Sequence, residues 1–147
     1  MSNIRIRVAG ILVKDGKILL VRHEKNDKSY WLLPGGGMDF GETAEEALIR
    51  EFQEEVGLTI KVGKLVIVHD SVPPTRHRQN LNLYFLVTTE NYDLKVTQDK
   101  VLRDAAFYSL ADFPRMQVNP DVKAEIVQGI AANWGGDCLY LGNRWKD

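Results

Sequence analysis

In the 23 residues from Gly36 to Leu58, GGMDFGETAEEALIREFQEEVGL, the carboxylates Glu51, Glu54 and Glu55 recur at spacings that a helix would gather on one side. With Glu51 as zero and roughly 100° per residue, Ala44 falls at about 20°, Glu55 at about 40°, Leu48 at about 60° and Glu54 at about −60°. Ala44, Leu48, Phe52 and Val56 form an apolar stripe facing the core. Two carboxylates therefore share the edge of the buried face and a third flanks it. Acids so close repel one another, and partial burial adds a desolvation cost, so without a counter-charge their pKa values would rise. A divalent cation removes both penalties. All-oxygen ligation with no accompanying Cys or His suits a hard ion, Mg²⁺ or Mn²⁺, rather than zinc. The competing reading is a solvated helix face, since Glu is a good helix former.

The elements that must position these acids are marked in the sequence. Thr43 and Glu46 have the spacing of a capping box, with Gly41 as a flexible lead-in, and Gly57 suits a left-handed helix exit. Just ahead lies Leu33-Pro34-Gly35-Gly36-Gly37, whose three glycines allow a backbone to approach a ligand that side chains would obstruct.

The same segment fills the pattern G-x5-E-x7-R-E-U-x-E-E-x-G-U, with U a bulky apolar residue, through Gly36, Glu42, Arg50, Glu51, Phe52, Glu54, Glu55, Gly57 and Leu58. It thereby resembles the Nudix hydrolases; Phe52 stands where that family more often has an aliphatic residue. A chance match to the fixed identities is on the order of 10⁻⁸ per starting position. The resemblance implies a loop, helix and loop holding Mg²⁺ or Mn²⁺ on the pyrophosphate of a nucleoside diphosphate linked to another moiety. It implies Glu51, Glu54 and Glu55 as metal ligands, with the Gly35 carbonyl as a further oxygen. Arg50 would orient Glu51 and its neighbours, and Glu42 would brace the loop or reach metal through water. In such a reaction metal neutralises the pyrophosphate and acidifies the attacking water, and a nearby carboxylate takes the proton. Glu51 or Glu54 is the first choice for that base, and an acid between Asp93 and Asp104 is the second.

The whole chain, residues 1–147, fits one domain large enough to bury a core. Its 19 Lys and Arg against 20 Asp and Glu give a net charge of −1, so there is no bulk attraction to nucleic acid or membrane, and an anionic substrate must be met by local cations and metal. The single cysteine, Cys138, excludes an internal disulfide and points to a reducing, cytoplasmic setting; within Asp137 to Leu141 it reads as a structural strand residue. No secretory signal or membrane-spanning run is evident.

Ile4, Ile6 and Val8 alternate with Arg5 and Arg7, and with Ile11 to Val13 and Ile18 to Val21 they read as a β-hairpin turning at Asp15-Gly16. Strands are expected at Trp31 to Leu33, Thr59 to His69, Leu81 to Thr88, Ala105 to Leu110 and after Gly135, and a second helix over Asp121 to Trp134. The order argues for an α+β class, an α/β/α sandwich, matching the mixed sheet between helices that the family resemblance implies.

For the substrate, Arg22 and His23 end a strand where similar Nudix proteins place a basic residue, and Arg76, His77 and Arg78 form a basic group on a proline-bounded loop. Trp31 and Tyr84 are stacking candidates or core. Asp99 and Asp104 are candidates for a late ligand or base; Asp104 precedes Ala105 to Leu110, which resembles the family segment after such an acid, although the family usually has Glu there. Pro73, sixteen positions beyond Gly57, resembles the ADP-ribose pyrophosphatase group, whereas the chain's shortness does not. ADP-ribose or a nucleotide sugar is slightly favoured over a nucleoside triphosphate, with a non-catalytic nucleotide sensor as the other class. A homodimer is compatible with the resemblance.

Overall fold

The computed structural model describes residues 3–97 and 101–146. Among them, one sheet runs in the order β5-β1-β7-β6-β9: β1 is Ile4–Ile11, β5 Gly35–Gly37, β6 Ile60–Ser71, β7 Gln79–Thr89 and β9 Leu139–Asn143. In the second sheet β3 (Lys17–Lys25) pairs with β2 (Val13–Lys14), β4 (Lys28–Leu32) and β8 (Leu102–Ser109), all antiparallel. The first sheet is mixed, because β1 runs parallel to β7 and β6 parallel to β9. The helices are α1 (Ala44–Val56) and α2 (Lys123–Ala131).

The strand alternation decides which helix each side chain meets. Val8, Leu19 and Val21 pack with Leu48, Phe52 and Val56 of α1 in one core. Their sequence neighbours Ala9, Ile18 and Leu20 pack with Val122 and Ile126 at α2 in the other. Successive strand residues face opposite sides, so the sheets form the middle layer of the expected α/β/α sandwich. No helix among the described residues is long and apolar enough to cross a membrane.

Two sequence expectations need correction. The turn at Asp15-Gly16 exists, with φ of 51° and 74°, and joins β2 to β3. Val13 and Lys14 pair with Ile18 and Lys17 across it as a short hairpin, but Ile4 to Ile11 take no part in it, because β1 leaves for the other sheet and pairs with β5 on one edge and β7 on the other. Alternation identifies a strand but cannot distinguish a neighbour in sequence from a parallel partner some 75 residues away, as in Ile4 opposite Gln79. On α1 the expected stripe is in place, with Leu48, Phe52 and Val56 wholly buried and Ala44 packed against the core, and Ala47 joins it as a further buried residue. Cys138, expected within a strand, is exposed and lies just before edge strand β9.

Phe52 joins the helix to β1: a Cβ added at Gly10 would lie 2.5 Å from its ring, so that glycine makes room for the phenyl group. Phe52→Ala should cost about 3–5 kcal/mol and lower Tm by about 10 °C or more, measured by thermal and denaturant unfolding.

Candidate active site

The acids are positioned by a helix fixed at both ends. Glu46 N–H donates to Thr43 Oγ1 at 3.1 Å and Thr43 N–H to Glu46 Oε1 at 2.9 Å, the reciprocal capping box. At the other end Gly57 adopts φ 69° and its N–H returns to Gln53 and Phe52. Lys95 N–H donates to Val56 O at 2.8 Å, tying the chain beyond β7 to the helix exit.

Arg50 is the centre of the site. Its Nε and Nη2 donate to the two carboxylate oxygens of Glu42 at 2.7 and 2.9 Å. Nη1 donates to Glu51 at 2.8 Å and to Glu54 at 3.3 Å, and Nη2 also reaches the Gly37 carbonyl at 3.1 Å. A planar guanidinium can serve this many acceptors at once, which an ammonium group could not do in the same geometry. Glu42 in turn accepts from Asp39 N–H at 2.8 Å, so it braces the loop ahead of the helix.

The glycine strand β5 closes over these acids. Gly35 N–H donates to Glu55 Oε1 at 2.8 Å. A Cβ on Gly36 would lie 2.4 Å from Glu51 Cδ, and one on Gly35 would lie 1.9 Å from Val8 O. Backbone at β5 thus reaches the helix carboxylates because it lacks side chains.

The carboxylates occupy different environments. Arg50's hydrogen bonds, then the Asp39 N–H, hold Glu42 down at about 2. Burial pushes Glu51 up, opposed by Arg50 and by the charge of Arg7. Glu54 is exposed, with 59% of its side-chain surface accessible.

Beside β5, on the α2 side of the first sheet, is a cleft of about 350 Å³ lined by Arg5, Arg7, Arg78, Arg144 and Lys146 with a single acid, Asp121. Arg144 is paired with Glu125 and Lys146 lies 3.9 Å from Asp121, whereas Arg5, Arg7 and Arg78 make no ion pair among the described residues. Arg7 lies opposite Gly37 in the sheet, and the Arg5 guanidinium covers Gly37, so the cleft adjoins the acids. Three guanidinium groups with no ion-pair partner among the described residues make this a locally positive surface in a chain of net charge −1.

The structure therefore brings together Glu42, Arg50, Glu51, Glu54, Glu55 and Gly35 to Gly37, and sets other candidates apart. Arg78 lines the cleft, but Arg76 is exposed on its loop at φ 53°. Arg22 is turned to Glu24 and Ser29, both at 3.3 Å, and faces Asp104 across β3 and β8. Among the described residues no hydrogen bond or ion pair links Arg22 or Asp104 to Arg50. Asp104 accepts from Ala105 N–H at 2.8 Å. Asp99 lies outside the described residues. Tyr84 is buried in the second core and Trp31, partly buried, packs against it with its indole Nε1 donating to Tyr108 at 3.0 Å, which is the core reading for both. Sequence reasoning passed over Arg5 and Arg7, although their alternation with Ile4, Ile6 and Val8 marks a strand with one cationic face.

The donor set fits a hard divalent ion: acidic oxygens on one helix, one of them partly desolvated, against a strand with no side chains. Among the described residues no three acids already enclose a cation-sized point, because the Arg50 guanidinium draws Glu42, Glu51 and Glu54 to itself.

In metal-free buffer, Glu42 should titrate near 2 in wild type and return toward the ordinary carboxylate range in Arg50→Gln, read by NMR. A depressed carboxylate stabilises the fold above its unfolded pKa and ceases to as pH falls through the folded one. The Tm difference between wild type and Glu42→Gln should accordingly be full above pH about 4.5 and vanish towards pH 2. In Gly36→Ala the new methyl group displaces the Glu51 carboxylate, and the raised Glu51 pKa should fall as it gains water.

Comparison with known proteins agrees with this geometry. The family model described as the NUDIX domain matches residues 4–128. An ADP-ribose pyrophosphatase of Methanocaldococcus jannaschii is 36% identical over 112 residues, covering 76% of this chain and 65% of that protein. A CTP pyrophosphohydrolase of Escherichia coli is 38% identical over 64 residues, 42% of this chain and 47% of that one. The match thus spans under two thirds of these curated relatives. The solution structure of the E. coli ORF135 protein superposes with a TM-score of 0.75 at 24% identity, covering 92% of this chain and 96% of that one. A family match over most of the chain, meeting the acidic helix, its arginine and the glycine strand in one place, establishes that this protein belongs to the Nudix hydrolase family.

Proposed function

We propose that the protein is a Mg²⁺- or Mn²⁺-dependent pyrophosphohydrolase of a nucleoside diphosphate linked to another moiety, with ADP-ribose or a nucleotide sugar favoured. The observation that carries this reading is the junction of the Arg50-held acids with a cleft whose Arg5, Arg7 and Arg78 have no ion-pair partner among the described residues. Such a cleft accepts a polyanion at one end and delivers it to the acids.

Glu51, Glu54 and Glu55 would hold the metal, with Gly35 supplying a backbone oxygen. When bound, that ion supplies charge neutralisation at the pyrophosphate and acidifies a water. The protein's own groups do the rest. Arg5 and Arg7 receive phosphate oxygens beside Gly37, and Gly35 to Gly37 admit the diphosphate close to the backbone. Arg50 keeps Glu51 and Glu54 in fixed orientations, supported by Glu42, and one of these two accepts the water's proton. Glu51 is the stronger candidate, because partial burial raises its basicity above that of an exposed acid. Arg78 binds from the cleft's far wall. Arg22, Arg76 and Asp104 take part only if substrate extends beyond the cleft.

The identity to an ADP-ribose pyrophosphatase and the position of Pro73 support the favoured substrate. The shorter match to a CTP pyrophosphohydrolase supports the second reading, a nucleoside triphosphate cut to release inorganic pyrophosphate. A nucleotide sensor is disfavoured by the complete set of acids. The single exposed cysteine suits a cytoplasmic enzyme acting on a small nucleotide, as a monomer or homodimer.

Turnover should be tested on ADP-ribose, nucleotide sugars, nucleoside triphosphates and dinucleoside polyphosphates with Mg²⁺, Mn²⁺ or EDTA. Hydrolysis should require the divalent ion and be abolished by EDTA. Glu51→Gln should lower kcat/KM by about 10²–10⁴-fold, and Glu54→Gln should also lower it by orders of magnitude, with unchanged circular dichroism. Binding without turnover across the panel, or full activity in both variants, would refute the assignment.

A further inference from the structure

The chain has three tryptophans, and two are used by the cores: Trp31 and Trp134 pack against the second cluster, with the Trp134 ring lying over Gly129. Trp145 belongs to neither core and is only partly buried. It lines the same cleft as Arg5 and Arg7. The other aromatic there, Tyr30, is committed to packing against the first core and against His23, at a ring separation of 5.6 Å.

The backbone under Trp145 is held on both sides. Asn143 exchanges hydrogen bonds with Val72, its Oδ1 accepting at 3.0 Å and its Nδ2 donating at 2.9 Å, and the same Oδ1 accepts from Trp145 N–H at 3.1 Å. Arg144 N–H donates to Asp70 O at 2.9 Å, and its guanidinium makes a two-point contact with Glu125 at 3.2 and 3.3 Å. An indole with little packing of its own, on so fixed a support, is pre-organised for a flat partner. A second observation also indicates a ligand: Asn82, on the cleft floor and only 3% exposed, has an amide Nδ2 with no hydrogen-bond partner among the described residues.

The distances suit one class of ligand. Arg7 on β1 stands next to Asn82 on β7, which faces His69 on β6, and the Arg144 backbone follows β9 alongside β6. From β1 to the line of β9 is three strand spacings, roughly 14 Å, on the scale of an extended nucleotide. Phosphates at Arg5 and Arg7 place a base near Trp145. We infer that Trp145 is the specificity-determining platform on which the nucleobase of the substrate stacks, with the Asn82 amide available to a polar edge at the cleft floor. This deepens the pyrophosphohydrolase reading and rests on it for the place of the phosphates.

The test measures binding and is independent of hydrolysis. Wild type, Trp145→Ala and Trp145→Phe are titrated with AMP, GMP, CMP and UMP, and with ribose 5-phosphate, by calorimetry and tryptophan fluorescence. At least one nucleotide should bind wild type and quench its emission. The quench should be lost in Trp145→Phe, while Trp31 and Trp134 still emit. Affinity should fall about tenfold in Trp145→Ala but less than threefold in Trp145→Phe, which keeps a stacking ring. Ribose 5-phosphate should bind all three proteins alike. Equal nucleotide affinity in wild type and Trp145→Ala would overturn the inference, as would an equal loss for ribose 5-phosphate or the absence of nucleotide binding by wild type. Metal-dependent turnover by wild type tests the underlying activity separately, so the two failures are distinguishable.

Discussion

One guanidinium makes an otherwise repulsive arrangement stable. Glu42, Glu51 and Glu54 converge within hydrogen-bonding distance of Arg50, and without that charge their carboxylates would repel one another. The arginine is itself held to the Gly37 carbonyl, so helix and glycine strand are joined through the same side chain that neutralises the acids. The helix caps, the bare glycine backbone and the packing of Phe52 on Gly10 all maintain the spacing that this one group requires.

Electrostatics divides the molecule in a way that its net charge of −1 conceals. Acids gather at α1, and cations gather across the first sheet's other face, with β5 between them. Arg7 influences Glu51 through space while presenting its charge to the cleft. Under the proposed function a polyanion would meet these arginines before the carboxylates, an order that offsets its repulsion from the acids.

What the sequence disclosed was local. The capping box, the αL exit at Gly57 and the three-and-four spacing of Glu51, Glu54 and Glu55 each depend on contacts within a turn or two, and each lies where it was expected. The α+β layering followed from element order. The cleft was not legible, because Arg7, Asn82 and Trp145 come from β1, β7 and the segment after β9, and strand pairings distant in sequence, two of them parallel, bring them together. The same limit misassigned Ile4 to Ile11 to a hairpin. Arg22 and Arg76 looked equivalent to Arg78 as basic residues at element ends, and only their partners in space separate them.

The alternation along β1 has an evolutionary corollary. Val8 and the space at Gly10 belong to the α1 side, whereas Arg5, Arg7 and Ala9 belong to the α2 side. Adjacent codons therefore write to separate layers, one carrying the acids and the other the cationic cleft proposed to meet the ligand. A substitution at Arg5 or Arg7 thus alters the cleft while leaving the packing of the acidic helix on Val8 and Gly10 untouched.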